Sequence, residues 1–199
     1  MDMDCDDDQN KATFDNKELS LGDDDLALLQ NIFTERTIRR KMYFLQAGEP
    51  SVELAMVIKG LFRSFYIDEA GNDVTKYFYP EGSRLFSYKA YVTNENSMYS
   101  IQALEDSEVL VAKISDFEKA VKSNLHLFAF YKKILDDALI MKEDHASSFK
   151  LLTSVERYKQ FLAQYPGLEK RVKQYQLASY LGITPVSLSR IRNSLFLNK

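Results

Sequence analysis

Near the carboxy terminus, the stretch YLGITPVSLSRIR (Tyr180–Arg192) carries the residues with the plainest chemical use. Arg190 ends in a planar guanidinium fork, and such a fork can donate to O6 and N7 of one guanine together. Around it stand the hydroxyls of Thr184, Ser187 and Ser189 and the amides of Asn193 and Gln174. Hydroxyls and amides serve base edges or phosphate oxygens, and the free N–H groups of a helix start hold phosphates. Val186 offers only methyl groups, which limits it to a thymine methyl or to no base contact.

That chemistry needs two packed helices to present it. Leu177, Ala178 and Leu181 share one face of a helix over 174–181, and the small Ala178 admits a second helix at close range. Gly182 can take the positive φ that ends such a helix. Ile183 plugs the space between the helices. Thr184 is a helix N-cap, and Pro185 fits the first turn, where its missing N–H costs nothing. Leu188 and Ile191 face inward, which leaves Val186, Ser187, Ser189, Arg190, Asn193 and, in part, Arg192 outside. Helix, glycine turn, helix is the helix-turn-helix layout. A plain helical hairpin uses the same punctuation, so charge has to weigh between them.

The net charge of −3 hides an asymmetry. Residues 1–149 carry 17 Lys and Arg against 27 Asp and Glu, a net of −10; residues 150–199 carry nine against two, a net of +7. A basic segment on an acidic body is the footprint of a polyanion partner, because bound Lys and Arg release phosphate counterions. A solvated helix surface that happens to be basic carries the same charge, so it is the helix-turn-helix layout and the charge together that point to double-stranded DNA.

The rest of the chain reads as an α+β protein. Residues 1–20 are rich in aspartate and poor in apolar groups, and a disordered acidic tail is expected. LGDDDLALLQNIFT (Leu21–Thr34) reads as a short amphipathic helix with aspartates in its first turn. KMYFLQAG, ELAMVIKG, LFRSFYID and DVTKYFYP are short, aromatic and partly alternating, as strands are. Gly48, Gly60, Gly71 and Gly82 fall between them at intervals of 12, 11 and 11. Turns at that spacing predict an antiparallel β-roll, a cupin-like jelly roll. SIQALEDSEVLVAKI (Ser100–Ile114) adds strand, acidic turn, strand. SDFEKAVKSN reads as a helix with Ser115 as N-cap and Glu118 closing a capping box.

Next, Leu127, Tyr131, Ile134, Ala138, Met141, His145, Ser148 and Leu152 step by alternate fours and threes, with no glycine or proline between them. A seam of about seven turns predicts a long helix that pairs with its twin in a homodimer through residues 127–152, against the alternative of packing on its own roll. Thr153–Gln164, LEKRVKQYQLASYLG and TPVSLSRIRNSLFL complete the chain as helices. The organisation is therefore a tail (1–20), a β-roll with flanking helices (21–125), a long dimerisation helix (126–152) and an all-α helix-turn-helix domain (153–199).

QAGEPSVELAMVIKGLFRSFYIDEAGNDVTKYF, ALEDSEVLVAKISDFEKAV and QLASYLGITPVSLSRIR together resemble the Crp/Fnr superfamily of bacterial transcription regulators, in the short form found in Bacteroidetes. The resemblance covers about residues 22–195 and implies a cyclic-nucleotide-binding-like roll, a dimer helix and a DNA reader. It places Val186 and Arg190 at base-reading positions and Thr184 and Ser187 at backbone-holding ones. A frequent base-reading glutamate is replaced by Val186, so the operator should differ from the usual one. With the sequence ending at Lys199, no β-hairpin wing is expected.

The family's cyclic-nucleotide cassette opens on Gly-Glu and carries a phosphate-neutralising arginine about ten residues on. Here Ser87-Tyr88 and Met98 stand at those places. Each lost charge-assisted bond is worth about 1.5–3 kcal/mol, so cAMP in the usual mode is not expected. Another small-molecule effector could use Arg84, Ser87, Tyr88, Lys89 and Tyr99 near the cassette, with Arg63 and Lys142 facing the same cavity. No cofactor or metal is expected: Cys5 is the single cysteine, and His126 and His145 lack ligand partners at suitable spacing. No nucleophile elbow, phosphate loop or convincing carboxylate pair points to an enzyme. The polar amino terminus and the absence of a spanning apolar run predict a cytoplasmic protein without a membrane segment. The competing reading is a ligand-binding or protein-interaction module whose helix-turn-helix no longer reads DNA.

Overall fold

The structure, a computed structural model, describes residues 21–197. The acidic tail with Cys5 lies outside the described residues. Helix α1 (Asp23–Ile32) leads into strands β1 (Thr34–Ile38), β2 (Tyr43–Leu45), β3 (Glu53–Lys59), β4 (Phe62–Ile67), β5 (Asp73–Tyr79) and β6 (Arg84–Leu85). A short helix α2 (Tyr88–Thr93) and strands β7 (Ser100–Ala103) and β8 (Ser107–Lys113) follow. The strands form two four-stranded sheets, β1-β8-β3-β6 and β2-β7-β4-β5, with antiparallel pairing throughout. This is the α+β roll that the aromatic strands and regular glycines predict. Val57, Phe62, Leu85, Ile101, Val109 and Val111 fill the space between the sheets.

Gly60 shows why one of those glycines is needed. Its φ is 105°, and a Cβ there would lie 2.2 Å from Ser107 Oγ and 2.8 Å from Ser107 Cα. The end of β3 can therefore lie against the start of β8. Two local expectations change. Thr34 starts β1 rather than ending the first helix, because Phe33 is already extended (φ −94°, ψ 138°). Ser115 is inside helix α3 (Ile114–Ser123), whose N-cap is Lys113 without a side-chain cap, while Glu118 pairs with Lys122 at 3.0 Å.

Helix α4 (Leu125–Leu151) runs 27 residues, about 40 Å. Asn124 starts it: its Oδ1 accepts from the N–H groups of His126 and Leu127. Helix α5 (Ser154–Gln164) begins with a capping box, Thr153 N–H donating to Glu156 Oε2 at 2.8 Å. The helix expected from Leu168 starts only at Gln174. Gly167 (φ 80°) turns the chain into a single 3₁₀ turn over Leu168–Lys170 first. Helices α6 (Gln174–Tyr180) and α7 (Pro185–Leu197) close the described chain.

The helical domain docks on the outer face of the β2-β7-β4-β5 sheet. Phe78 lies 5.4 Å from the Tyr180 ring and 6.2 Å from Phe161. The Thr75 N–H donates to Ser179 Oγ at 2.9 Å. Arg171 binds Glu81 and Glu105, both carried on turns of the roll.

Candidate DNA-reading surface and effector site

The α6–α7 pair is built from the inside. Leu177, Ala178, Leu181 and Leu188 are buried to 2% exposure or less. Burial of a leucine of this kind stabilises by about 2–5 kcal/mol relative to alanine. Gly182 takes φ 66°, its N–H donates to Ser179 O, and the Ile183 N–H donates to Ala178 O. A Cβ on Gly182 would meet Phe149 Cε1 at 2.6 Å, so the residue answers both to backbone and to the close approach of α4. Thr184 Oγ1 accepts from the Ser187 N–H at 3.1 Å and lies 3.0 Å from Ser187 Oγ, which caps α7. Gln174 Nε2 donates to Pro185 O at 2.8 Å, which ties the starts of the two helices together.

Thr184, Ser189, Arg190 and Asn193 are exposed, Val186 is 61% exposed, and Ser187 is half-buried. They share the outer side and leading end of α7. Arg192 does not join them: its Nε donates to Tyr158 Oη at 3.2 Å and its guanidinium lies over that ring.

Helix α4 presents two apolar stripes. The two ends of the expected dimer seam meet their own chain, while Ile134, Ala138 and Met141 in its middle stay half-buried. Leu127 is fully buried, Tyr131 packs edge-on against Phe117 at 5.5 Å, and His145 stacks on Tyr180 at 4.8 Å. The roll and the helical domain thus take up Leu127, Tyr131 and His145 of this stripe. A second stripe lies roughly 100° further round the helix, given about 100° per residue. It carries Phe128 and Leu139, 51% and 65% exposed, with half-buried Leu135 and exposed Ala146. Burial pushes the His145 imidazole below its usual range, since Tyr77, Phe149 and Tyr180 surround it. A cleft of about 440 Å³ opens beside it between α4 and the helical domain.

The suggested effector residues separate into groups. Tyr88, Tyr99 and Lys142 come together with two residues that the sequence did not single out, Lys76 and Tyr66. Lys76 Nζ lies 3.7 Å from the Tyr99 ring centre and 5.4 Å from Tyr66, and Lys142 Nζ lies 6.0 Å from Tyr88. Tyr66 and Tyr99 meet edge-on at 5.7 Å. Lys76 gets there by a β-bulge. The register gives Ser64↔Tyr77 and then Phe65↔Thr75, so Lys76 is the extra residue of β5. Among the described residues neither lysine forms an ion pair. Burial, with Lys142 nearby, brings the Lys76 ammonium down to about 8. Ser87 is buried below Tyr88, its N–H donating to Ser51 Oγ at 2.9 Å.

The other candidates lie elsewhere. Arg63 shares its side of β4 with Leu61, toward the helical domain, and is ion-paired to Asp73 (Nη2–Oδ2 2.6 Å) and hydrogen-bonded to Thr75. Arg84 lines a narrow apolar cavity with Phe117 and Tyr131 on the outer side of the other sheet. Lys89 pairs with Glu95 at 3.4 Å, and Met98, at the place of the family's arginine, is 65% exposed. Among the described residues no group of acidic, histidine or cysteine side chains could hold a metal ion, and no helix is long and apolar enough to cross a membrane.

Residues 35–124 match the family model described as the cyclic nucleotide-binding domain. Comparison with the curated proteins gave no match. Among solved structures, FixK2 from Bradyrhizobium japonicum is 20% identical with a TM-score of 0.73, over 84% of this chain and 86% of that one. The c-di-GMP responsive global regulator CLP of Xanthomonas campestris is 14% identical with a TM-score of 0.69, over 89% and 93%. The catabolite activator protein of Thermus thermophilus is 17% identical with a TM-score of 0.56, over 90% and 85%. The chain has the fold of Crp/Fnr transcription regulators.

Proposed function

We propose that this chain acts as a Crp/Fnr-type regulator: a homodimer that binds a specific DNA site through α7 and answers to an effector held in the β-roll. The observation that carries the reading is the outer row of Val186, Ser189, Arg190 and Asn193 on a capped helix whose other side is closed by Leu188 and Ile191. Arg190 is the base reader, as a guanidinium fork to guanine. Thr184, Ser187 and Gln174, with the first N–H groups of α7, hold phosphates. Val186 reads a thymine methyl or nothing.

Dimerisation uses the outward stripe of α4, Phe128, Leu135, Leu139 and Ala146, within the expected range 127–152. Two copies joined there offer two reading helices to successive turns of DNA. The effector is an anion other than cAMP, because Lys76 and Lys142 face the tyrosines without carboxylate partners, while Tyr88 and exposed Met98 occupy the cassette positions.

Fluorescence anisotropy with duplexes selected by the protein from randomised DNA tests the core of this proposal. Wild-type protein should prefer the selected duplex over random duplex by at least about 10³-fold. Equal affinity for both, or unaltered preference in Arg190→Ala, would reject it.

A further inference from the structure

The cleft of about 440 Å³ beside His145 has an aromatic floor drawn from the roll and from three helices. Tyr77 comes from β5, His145 from α4, Phe161 from α5 and Tyr180 from α6. The rings touch in series: Tyr77 lies 5.2 Å from His145, His145 4.8 Å from Tyr180, and Tyr180 5.6 Å from Phe161. Small-molecule sites are usually concave and mostly apolar, with volumes of about 300–1,000 Å³, and this cleft falls in that range.

The rims set the sign of the charge. On α4, Asp137 and Asp144 stand two turns apart, both exposed. Asp137 is paired with Lys133 at 2.8 Å on the same helix, whereas Asp144 forms no ion pair among the described residues. On α5, Gln160 and Gln164 add neutral amides one turn apart. Among the described residues Arg157 is the only lysine or arginine lining the cleft, and its own chain engages it. Its Nε donates to Leu181 O at 3.1 Å, its Nη1 donates to Leu152 O at 2.8 Å, and its guanidinium lies 4.9 Å from the centre of the Phe149 ring. His145, lowered by burial, adds no charge at neutral pH. Aromatic faces are negative, so they attract a cation and repel an anion, and the Asp144 carboxylate acts in the same sense.

We infer that this cleft binds an arylalkylammonium ion, with the ammonium at Asp144 and the ring against the floor of Tyr77, His145 and Tyr180. The site is separate from the roll pocket of Lys76 and Lys142, whose charge suits an anion. It also lies clear of the proposed dimer stripe. At about 100° per residue, Asp137 and Asp144 fall on the opposite side of α4 from Leu135 and Leu139. A ligand there touches β5, α4, α5 and α6 together, and so braces the long helix against the helical domain. The site stands whether or not α7 reads DNA.

Isothermal titration calorimetry of the full chain at neutral pH tests it, with phenethylamine as the probe. Phenylpropionate and phenylpropanol serve as the anionic and neutral counterparts. The amine should bind saturably and at least about tenfold more tightly than either counterpart, because it alone gains from both the carboxylate and the ring faces. Asp144→Asn should weaken it by at least about fivefold, and Asp144→Glu, which keeps the charge, by less. Asp144 is exposed, so neither variant should move the melting temperature. Saturating amine should also slow amide exchange along Ser154–Gln164. Absence of saturable amine binding at millimolar concentration, tighter binding of phenylpropionate, or full affinity in Asp144→Asn would overturn the site. None of these results bears on the recognition of DNA by α7, which the duplex competition tests by itself.

Discussion

Arg171 and Glu81 form a bidentate ion pair across the junction of the helical domain and the β-roll, with Nη1–Oε2 at 2.9 Å and Nη2–Oε1 at 2.8 Å. The same guanidinium reaches Glu105 Oε2 at 2.7 Å, and Glu81 also accepts the Gly60 N–H at 3.0 Å. One arginine thus connects two turns of the roll to the segment that leads into α6. Both partners hold the Arg171 charge firmly, and Glu81 is brought down to about 2, chiefly by its bonds to Arg171. The sign follows from linkage: a carboxylate with a lowered folded-state pKa contributes stability above its ordinary value of 4.5, and that contribution is lost as pH falls from 4.5 toward 2.

Arg171→Ala should therefore loosen the domain junction. The side chains are partly solvated, 32% and 44% exposed, so solvent screening holds the cost near about 1 kcal/mol. Amide exchange at Gly60 and along Lys173–Ser179 should accelerate about five- to tenfold at neutral pH, with little change in the roll core. Wild type and variant should converge only near pH 2, where Glu81 takes up its proton in the folded protein as well. Equal exchange at neutral pH would show that the aromatic contacts of Phe78, Phe161 and Tyr180 hold the junction alone.

Arg190 and Arg192 are two residues apart on α7 and should fail in different ways. Arg190→Ala removes an exposed fork and should reduce discrimination at one base by about 1–3 kcal/mol, leaving the melting temperature unchanged. Arg192→Ala loses the bond to Tyr158 and should lower stability by about 1 kcal/mol while preserving the base preference. Thermal melts beside competition with mutated operators separate the two effects. A reversed pattern would move the reading face round the helix.

The contrast also marks what sequence can reveal. The helix-turn-helix was legible because its determinants are local: Gly182, Thr184-Pro185 and the spacing of Leu188 and Ile191 fix turn and faces within about a dozen residues. The strands were legible for the same reason, apart from β1 and the two-residue β6, which have little alternation to show. The side of α4 that meets its own chain was not legible, because periodicity identifies an apolar stripe and not its partner. Lys76 was missed because it is placed by a bulge, which changes the facing of a residue without a mark in the alternation. Arg63 misled for a complementary reason: a cation in an aromatic strand suggests a ligand, but Asp73 and Thr75, on the neighbouring strand, engage both of its Nη groups, and its buried Nε has no partner among the described residues.

Lys76 should trade stability for binding. Burial disfavours its charged form, so effector-free protein should gain stability as pH rises from about 8 toward 10.5, where the unfolded chain still holds the proton. Lys76→Met should raise stability by about 1–2 kcal/mol after allowance for the solvated part of the side chain. Anion binding to the roll should weaken in this variant at neutral pH, and in wild type should decline above about pH 8 as the ammonium deprotonates. Calorimetric melts with and without a panel of aromatic carboxylates read both effects. A destabilised Lys76→Met protein would place this ammonium in a structural role instead.

Leu139 decides which stripe of α4 joins two copies. It is 65% exposed, so Leu139→Asp removes little packing within one chain and should leave the fold intact. If Phe128, Leu135 and Leu139 meet their symmetry mates, the substitution places two carboxylates at or near the dyad in an apolar interface, where like charges without partners are costly. Sedimentation should then show a monomer in place of a dimer at micromolar concentration. DNA affinity should fall by more than tenfold, about 1.4 kcal/mol, because each half-site would be bound without the other. Circular dichroism should remain that of wild type. Leu127→Asp provides the opposite case: that side chain is fully buried beneath α1 and α3, and its variant should lose fold and dimer together. A dimer that survives Leu139→Asp would exclude the outward stripe and return the search for the interface to another face of the molecule.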